Sequence, residues 1–244
     1  MSENGSPILE VSELSAGYDN VPVVRGLSLS AAAGEVVALL GANGAGKTTT
    51  LRAISGLVKT TSGSVRLDGI DLDGVSPTGR ARAGIAHVPE GRGIFYGLTV
   101  AEHFRVGRRP ARAQVDEVLG YFPALAELQN RRAGLLSGGE QQMLAIACAL
   151  LHTPKLLLLD ELSLGLAPVI VERLLPVVRE FATQRRVGVV LVEQHVRLGL
   201  DIADRAYVLA HGDLMASGSA EELRNDTDRL VASYLGETRA LSRG

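Results

Sequence analysis

Three short runs, Val36 to Leu40, Leu156 to Leu159 and Val187 to Val192, hold only apolar side chains apart from Gly188. Runs of four to six such residues fit strands covered on both faces, as in a parallel sheet. Each gives way abruptly to chemistry: a glycine-rich segment after Leu40, Asp160-Glu161 after Leu159, and Glu193-Gln194-His195 after Val192. A second set of segments reads as an antiparallel edge. Ile8 to Leu14 alternates in part, Gly17-Tyr18-Asp19-Asn20 follows as a loop, and Ser28 to Ser30 leads to a turn at Gly34. Thr61-Ser62-Gly63 predicts a break, Ser64 to Leu67 a strand, and Asp68-Gly69 a hairpin turn into Ile70 to Leu72. Ser76-Pro77 opens a short helix and Ile85 to Val88 returns as a buried strand ending at Pro89-Glu90.

From about 92 to 152 the pattern is helical, with no strand signal. Thr99 with Glu102, and Ser137 with Glu140, have capping-box spacing. Met143, Ile146, Ala147, Leu150 and Leu151 mark one inward face of the helix after Ser137. Between the two capping boxes and the strand before them, Ile94-Phe95-Tyr96 reads as an exposed loop. Beyond Glu161, Pro168 to Thr183 reads as a helix, and Ala206 to Ala210, His211-Gly212-Asp213 and Leu214 to Ala216 as a hairpin. Ser219 to Glu222 then reads as the cap of a short helix, and Asp226 to Leu235 is expected to be helical. The expectation is one α/β domain over 1–244, with a core at about 1–91 and 153–244 and a helical subdomain inserted at about 92–152.

The glycine-rich segment is Gly41-Ala42-Asn43-Gly44-Ala45-Gly46-Lys47-Thr48, followed by Thr49. Its glycines let backbone N–H groups curl inward around an anion, and the positive end of the following helix reinforces the nest. Lys47 is placed to reach the β and γ phosphates of a nucleotide, and Thr48 to offer its hydroxyl to Mg²⁺. Asp160 and Glu161 end a buried strand, where α/β sheets bind ligands. Asp160 suits Mg²⁺, held through water or Thr48, and Glu161 suits polarising, or accepting a proton from, an attacking water. Tyr18 reads either as a gap-filling aromatic or as a ring stacked on adenine. Leu136-Ser137-Gly138-Gly139-Glu140 reads either as a capped helix start or as a second anion site.

Composition adds boundaries. The net charge is −2 and the basic residues are scattered, which argues against a nucleic-acid-binding face. The single Cys148 excludes an intrachain disulfide framework and fits a reducing compartment. No apolar run approaches the ~20 residues that span a bilayer, and no secretory signal precedes Ile8, so a cytoplasmic location is expected.

The glycine-rich segment, Leu136 to Glu140 and Leu156 to Glu161, in that order, resemble the nucleotide-binding subunit of an ABC transporter. The resemblance implies a P-loop NTPase core of ABC type with an antiparallel β edge and an inserted helical subdomain. It implies ATP and Mg²⁺ as cofactors, sandwiched so that Ser137, Gly138, Gly139 and Glu140 of one subunit meet the nucleotide held by Gly41 to Thr49 of a second. It makes Tyr18 the adenine-stacking ring, Glu161 the catalytic carboxylate, and Ser163-Leu164-Gly165-Leu166 a loop that crosses the dimer. Where the family has a glutamine that senses Mg²⁺ and the membrane partner, this chain has Glu90, and where it has proline after the catalytic glutamate, this chain has Leu162. The switch position falls on Gln194 by register, with His195 its neighbour and competitor.

Val88-Pro89-Glu90-Gly91-Arg92, Ser163 to Pro168 and Leu191 to Gln194 are similar to the second ATPase of branched-chain amino acid importers. The partners so implied are a second ATPase subunit, two membrane permeases that dock near Ile94-Phe95-Tyr96, and indirectly an extracytoplasmic solute-binding protein. The chain would then lie on the inner face of the membrane. Uptake of urea or short amides, and a soluble non-transport ATPase, are the alternatives.

Overall fold

The computed structural model describes residues 7–19, 21–107 and 110–225. In chain order the strands are β1 (Pro7–Tyr18), β2 (Val21–Ala32), β3 (Val36–Gly41), β4 (Thr60–Leu67), β5 (Ile70–Asp71), β6 (Ile85–Val88), β7 (Leu156–Asp160), β8 (Gly188–Glu193), β9 (Arg205–Ala210) and β10 (Asp213–Ser219). The helices are α1 (Lys47–Ile54), α2 (Pro77–Ala83), α3 (Val100–His103), α4 (Arg112–Tyr121), α5 (Pro123–Glu127), α6 (Gly138–Leu150), α7 (Pro168–Arg185), α8 (Val196–Ile202) and α9 (Ala220–Asn225). The strands form an antiparallel sheet in the order β2-β1-β4-β5 and a second sheet in the order β10-β9-β3-β8-β7-β6, parallel except for β10.

The apolar runs are unbroken because the parallel sheet has a core on each face. Val37, Leu39, Leu156, Leu158, Val190 and Val192 pack with the antiparallel sheet and α1. Their neighbours Val36, Leu157, Leu159, Val189 and Leu191 pack on the other face with α6 and α7. Ala38 and Leu40 close against α8 and α9. The polar residues that end these strands therefore emerge together at one edge of the sheet. Between 92 and 152 the described residues hold α3 to α6 and a 3₁₀ turn, with a single isolated bridge, Thr99 to Arg132.

Several local expectations are corrected. Tyr18 ends β1 instead of lying in a loop, and Asn20 falls outside the described residues, as does Asp226 to Leu235. Residues Thr61-Ser62-Gly63 lie inside β4, where a shift of register against β1 absorbs them. Gly63 has φ of +82°, and a Cβ there would stand 2.4 Å from the carbonyl oxygens of Ser12 and Glu13. Its glycine thus serves a close strand-to-strand approach rather than a chain break. The strand expected at Ser28 to Ser30 is the end of the longer β2, and β5 stops at Asp71. In α6, Met143 is only half-buried while Gln141, Gln142, Leu144 and Ala145 are buried, so the helix is enclosed around most of its girth. Ile94 packs against the helical core, leaving Phe95 and Tyr96 exposed. His103 sets that loop: its Nε2 accepts the Phe95 N–H at 2.9 Å while its Nδ1 lies 2.8 Å from the Thr99 carbonyl.

The eight-residue α1 is too short to be stable alone, and its C-terminal carbonyls need donors. Arg80, buried in α2, supplies them. Its guanidinium donates to the carbonyls of Ala53 and Ile54, each at 2.9 Å, and to Leu72 (2.9 Å) and Val75 (3.2 Å). Burial pushes the Arg80 pKa down, with Asp73 and Asp71 opposing. Replacing Arg80 with Met would remove its donors from four carbonyls, of which Ala53 and Leu72 keep a backbone N–H from Gly56 and Val75, and the expected loss of stability is about 3 kcal/mol in a urea titration. A midpoint equal to that of the parent protein would show that water caps α1 as well.

Candidate active site

The site grows from the C-terminal ends of β3, β7 and β8. Gly41 must be glycine because a Cβ would lie 2.5 Å from the Leu209 carbonyl oxygen of β9. The segment then turns through Gly44 (φ +79°) and Gly46 (φ +103°), the latter in the left-handed conformation as the residue preceding α1. The Gly46 backbone lies against Val24 of β2, and the Gly212 N–H donates to the Ala45 carbonyl at 3.1 Å. Thr49 and Ala45 are buried, whereas Asn43 and Gly44 face solvent.

Lys47 is buried, with its ammonium donating to the carbonyls of Gly41 (2.8 Å) and Ala42 (3.1 Å) and standing 3.5 Å from Glu161 Oε1. A buried ammonium needs this many partners. The Thr48 hydroxyl donates to Asp160 Oδ1 at 3.0 Å. Asp160 is 2% exposed, and burial pushes its carboxyl up to about 6 against the downward pull of the Thr48 hydrogen bond. The charges of Glu161 and of the exposed Glu90 add to the upward push, and that of Arg52 opposes it. Glu161 itself sits at φ +48°, a strained conformation for a residue with a side chain, and its N–H is tied to the Val192 carbonyl at 3.0 Å. Leu162, in place of the expected proline, is buried in the core beneath. The structure thus brings Lys47, Thr48, Asp160 and Glu161 into one cluster.

Tyr18 is 43% exposed, with its hydroxyl accepting from Arg52 of α1 at 3.2 Å. Ser137 to Glu140 lies on another part of the surface. There the Ser137 hydroxyl accepts from the Glu140 N–H (3.3 Å) and the Glu140 carboxylate from the Ser137 N–H (2.7 Å). A Cβ on Gly138 or Gly139 would meet Arg92, Leu166 or Ile170, none of them part of the glycine-rich loop. Gln194 and His195 are both exposed, directly after β8.

Two side chains not singled out from the sequence belong here. Arg92, at φ +65° between two glycines, donates to the amide oxygens of Gln141 (2.6 Å) and Gln142 (3.2 Å), joining the Glu90 loop to α6. Glu193 is a buried carboxylate that accepts from both the N–H and the hydroxyl of Ser163. An acid closing a buried apolar strand was the available signal, the same that singled out Asp160.

The family described as ABC transporter matches residues 24–163. A high-affinity branched-chain amino acid transport ATP-binding protein, BraG, of Pseudomonas aeruginosa is 42% identical over 94% of this chain and 100% of its own length. A probable branched-chain amino acid transport ATP-binding protein, LivF, of Archaeoglobus fulgidus is 34% identical over 88% of this chain and 94% of its own. A solved ATP-binding subunit of an ABC transporter superposes with a TM-score of 0.77 at 30% identity, covering 91% of this chain and 93% of that one. The chain belongs to the ABC transporter family, as an ATP-binding cassette.

A carboxylate raised on folding favours the native state least when it is ionised. Asp160 passes from an ordinary value near 4 in the unfolded chain to about 6 in the folded one, so the native state holds the extra proton and stability falls as pH rises from about 4 to 6. In metal-free and nucleotide-free buffer, Asp160→Asn is expected to be about 2 kcal/mol more stable than the parent at pH 8, an advantage that vanishes by pH 4. Denaturant melts at the two pH values check it; a pH-independent difference would place the cost elsewhere than in the charge.

Proposed function

We propose that this chain is the ATP-hydrolysing subunit of an importer of branched-chain, hydrophobic amino acids. The convergence of Lys47, Thr48, Asp160 and Glu161 at the ends of β3 and β7 carries the hydrolytic part of that reading. The import part rests on the relatives, BraG foremost. The chain acts as one cassette over 1–244, its core about 1–91 and 153–244 and its helical subdomain about 92–152. Two cassettes, alike or not, close on ATP and work through two permeases, with a solute-binding protein outside and no nucleic acid involved. Among the described residues no helix is long and apolar enough to cross a membrane, so attachment to the inner membrane face would run through the permeases, with Phe95 and Tyr96 exposed for that contact.

The residue roles follow from their chemistry. Lys47 and the N–H groups of Gly41 to Thr49 hold the β and γ phosphates, and Tyr18 stacks on the base. Among the described residues no cluster of three or more His, Cys, Asp or Glu could hold a metal unaided. Thr48, Glu90 and Asp160 would supply part of a shell for Mg²⁺, with phosphate oxygens and water supplying the rest. A bound Mg²⁺ would neutralise charge on the leaving phosphates. It would also relieve the buried Asp160 carboxylate. Glu161 accepts a proton from the attacking water, Gln194 donates a hydrogen bond to the γ phosphate, and Ser137 to Glu140 of the second cassette complete the site.

Glu161→Gln is expected to keep ATP affinity and lower kcat by about 10²- to 10⁴-fold, because the amide holds position without accepting the proton. Near-parental turnover in the reconstituted transporter would remove Glu161 as the base. A second measurement addresses the switch. Gln194→Ala is expected to lower kcat at saturating ATP about tenfold or more, and His195→Ala less than about threefold. The reverse order would assign sensing to the histidine.

A further inference from the structure

Glu193 is 1% exposed, and both of its carboxylate oxygens are spent on one residue: Oε1 accepts the Ser163 N–H at 3.0 Å and Oε2 the Ser163 hydroxyl at 2.7 Å. The residue before it, Val192, accepts the Glu161 N–H at 3.0 Å through its carbonyl. Two consecutive residues of β8 therefore hold residues 161 and 163, while the side chain of Leu162 between them is buried. The turn is pinned at three successive positions. Glu161 needs that restraint, since its φ of +48° is a conformation that persists only when its surroundings enforce it. In the register of the sheet Glu193 lies beside Leu40, the residue before Gly41, and Val192 beside Asp160.

Helix α8 packs against this junction. A Cβ on Gly199 would come within 2.7 Å of Leu40 Cδ2 and 3.5 Å of Glu193 Cβ, so the helix backbone packs closely against the base of the Glu193 side chain. Burial pushes the Glu193 carboxyl up, the two Ser163 hydrogen bonds pull it down, His195 pulls it down and Glu161 pushes it up. An acid buried beside Glu161 carries a standing cost, offset here by the two hydrogen bonds from Ser163.

We propose that Glu193 is a positioning residue for the hydrolytic reaction: by holding Ser163 it sets Glu161 and the segment Ser163 to Leu166 in one geometry, at the point where Gln194 and His195 begin. This rests on the reading of Glu161 as the base and of Ser163 to Leu166 as the segment that meets a second cassette. Glu193 touches neither nucleotide nor water in this scheme. Its effect is to make the base and the inter-cassette segment move as one piece, so that a disturbance of either is felt by the other through Ser163.

The test uses the full chain assembled with its transporter, with kcat, KM for ATP and amide exchange at residues 161–166 as readouts. Glu193→Ala is expected to lower kcat roughly ten- to a hundredfold with KM for ATP within about twofold, because misplacing a reacting group acts on chemistry rather than on nucleotide affinity. Exchange of the Ser163 amide should rise. Glu193→Gln is expected to stay within about threefold of the parent, since its amide oxygen accepts the Ser163 N–H and its NH₂ donates to the hydroxyl. Adding Ser163→Ala to Glu193→Ala should cost little more, as both act through one contact. Glu193→Ala at full kcat, or Glu193→Gln as poor as Glu193→Ala, would overturn the proposal. If Glu193→Ala does not fold, Ser163→Ala decides it: a severalfold loss of kcat supports the role and parental turnover overturns it. A parent protein without ATPase activity would instead count against the function, and unchanged Ser163 exchange in Glu193→Ala would then count separately against the positioning.

Discussion

A sheet buried on both faces leaves its strands no polar side to present, so every charge it carries must emerge at the strand ends. In this protein β3, β7 and β8 have apolar side chains on both faces, and they end together in the glycine-rich turn that leads to Lys47, in Asp160 and in Glu193. The concentration of chemistry at that edge follows from the burial of the strands. It also explains the electrostatic character of the site. Lys47, Asp160 and Glu193 are each at most 4% exposed, so none can rely on water to stabilise its charge.

The ways in which those charges are satisfied differ, and the differences separate function from support. Lys47 draws on carbonyls of its own loop and on Glu161, partners that a phosphate group can replace. Asp160 has one hydroxyl and neighbouring negative charges, an arrangement that invites a cation. Glu193 has two donors from a single serine, an arrangement that is already complete. Structural ion pairs elsewhere, such as Arg205 with Glu35 and Arg179 with Asp204 at the opposite ends of the strands, are likewise closed upon themselves.

Much of this was legible in the sequence where the signal is local and covalent in origin. The apolar run ending in Asp160, the capping boxes at Thr99 and Ser137, and the glycine-rich turn before Lys47 are each encoded within about ten residues, and each lies in the expected element. What escaped depends on distant chain. Gly63 reads as a break until β1, some fifty residues earlier, is laid beside it. Ile94 looks exposed beside Phe95 and Tyr96 because nothing nearby in the chain says that the helical core covers one of the three and leaves the others. Glu193 carried a visible signal, but its partner lies 30 residues earlier, beyond any local pattern. The register of Gln194 and His195 likewise cannot be read from periodicity, since both follow the last strand residue.

The capping of α1 by Arg80 has an electrostatic consequence at the opposite end of the helix. Eight residues span only about 12 Å, so the negative pole of such a helix lies close enough to its positive pole to weaken the field there. The guanidinium on the Ala53 and Ile54 carbonyls cancels that negative pole in a buried setting where solvent cannot. What remains at Lys47 is closer to a single pole than to a dipole, and its reach into the glycine-rich loop declines more slowly with distance. A residue that never approaches the anion thus lengthens the range over which the helix attracts it.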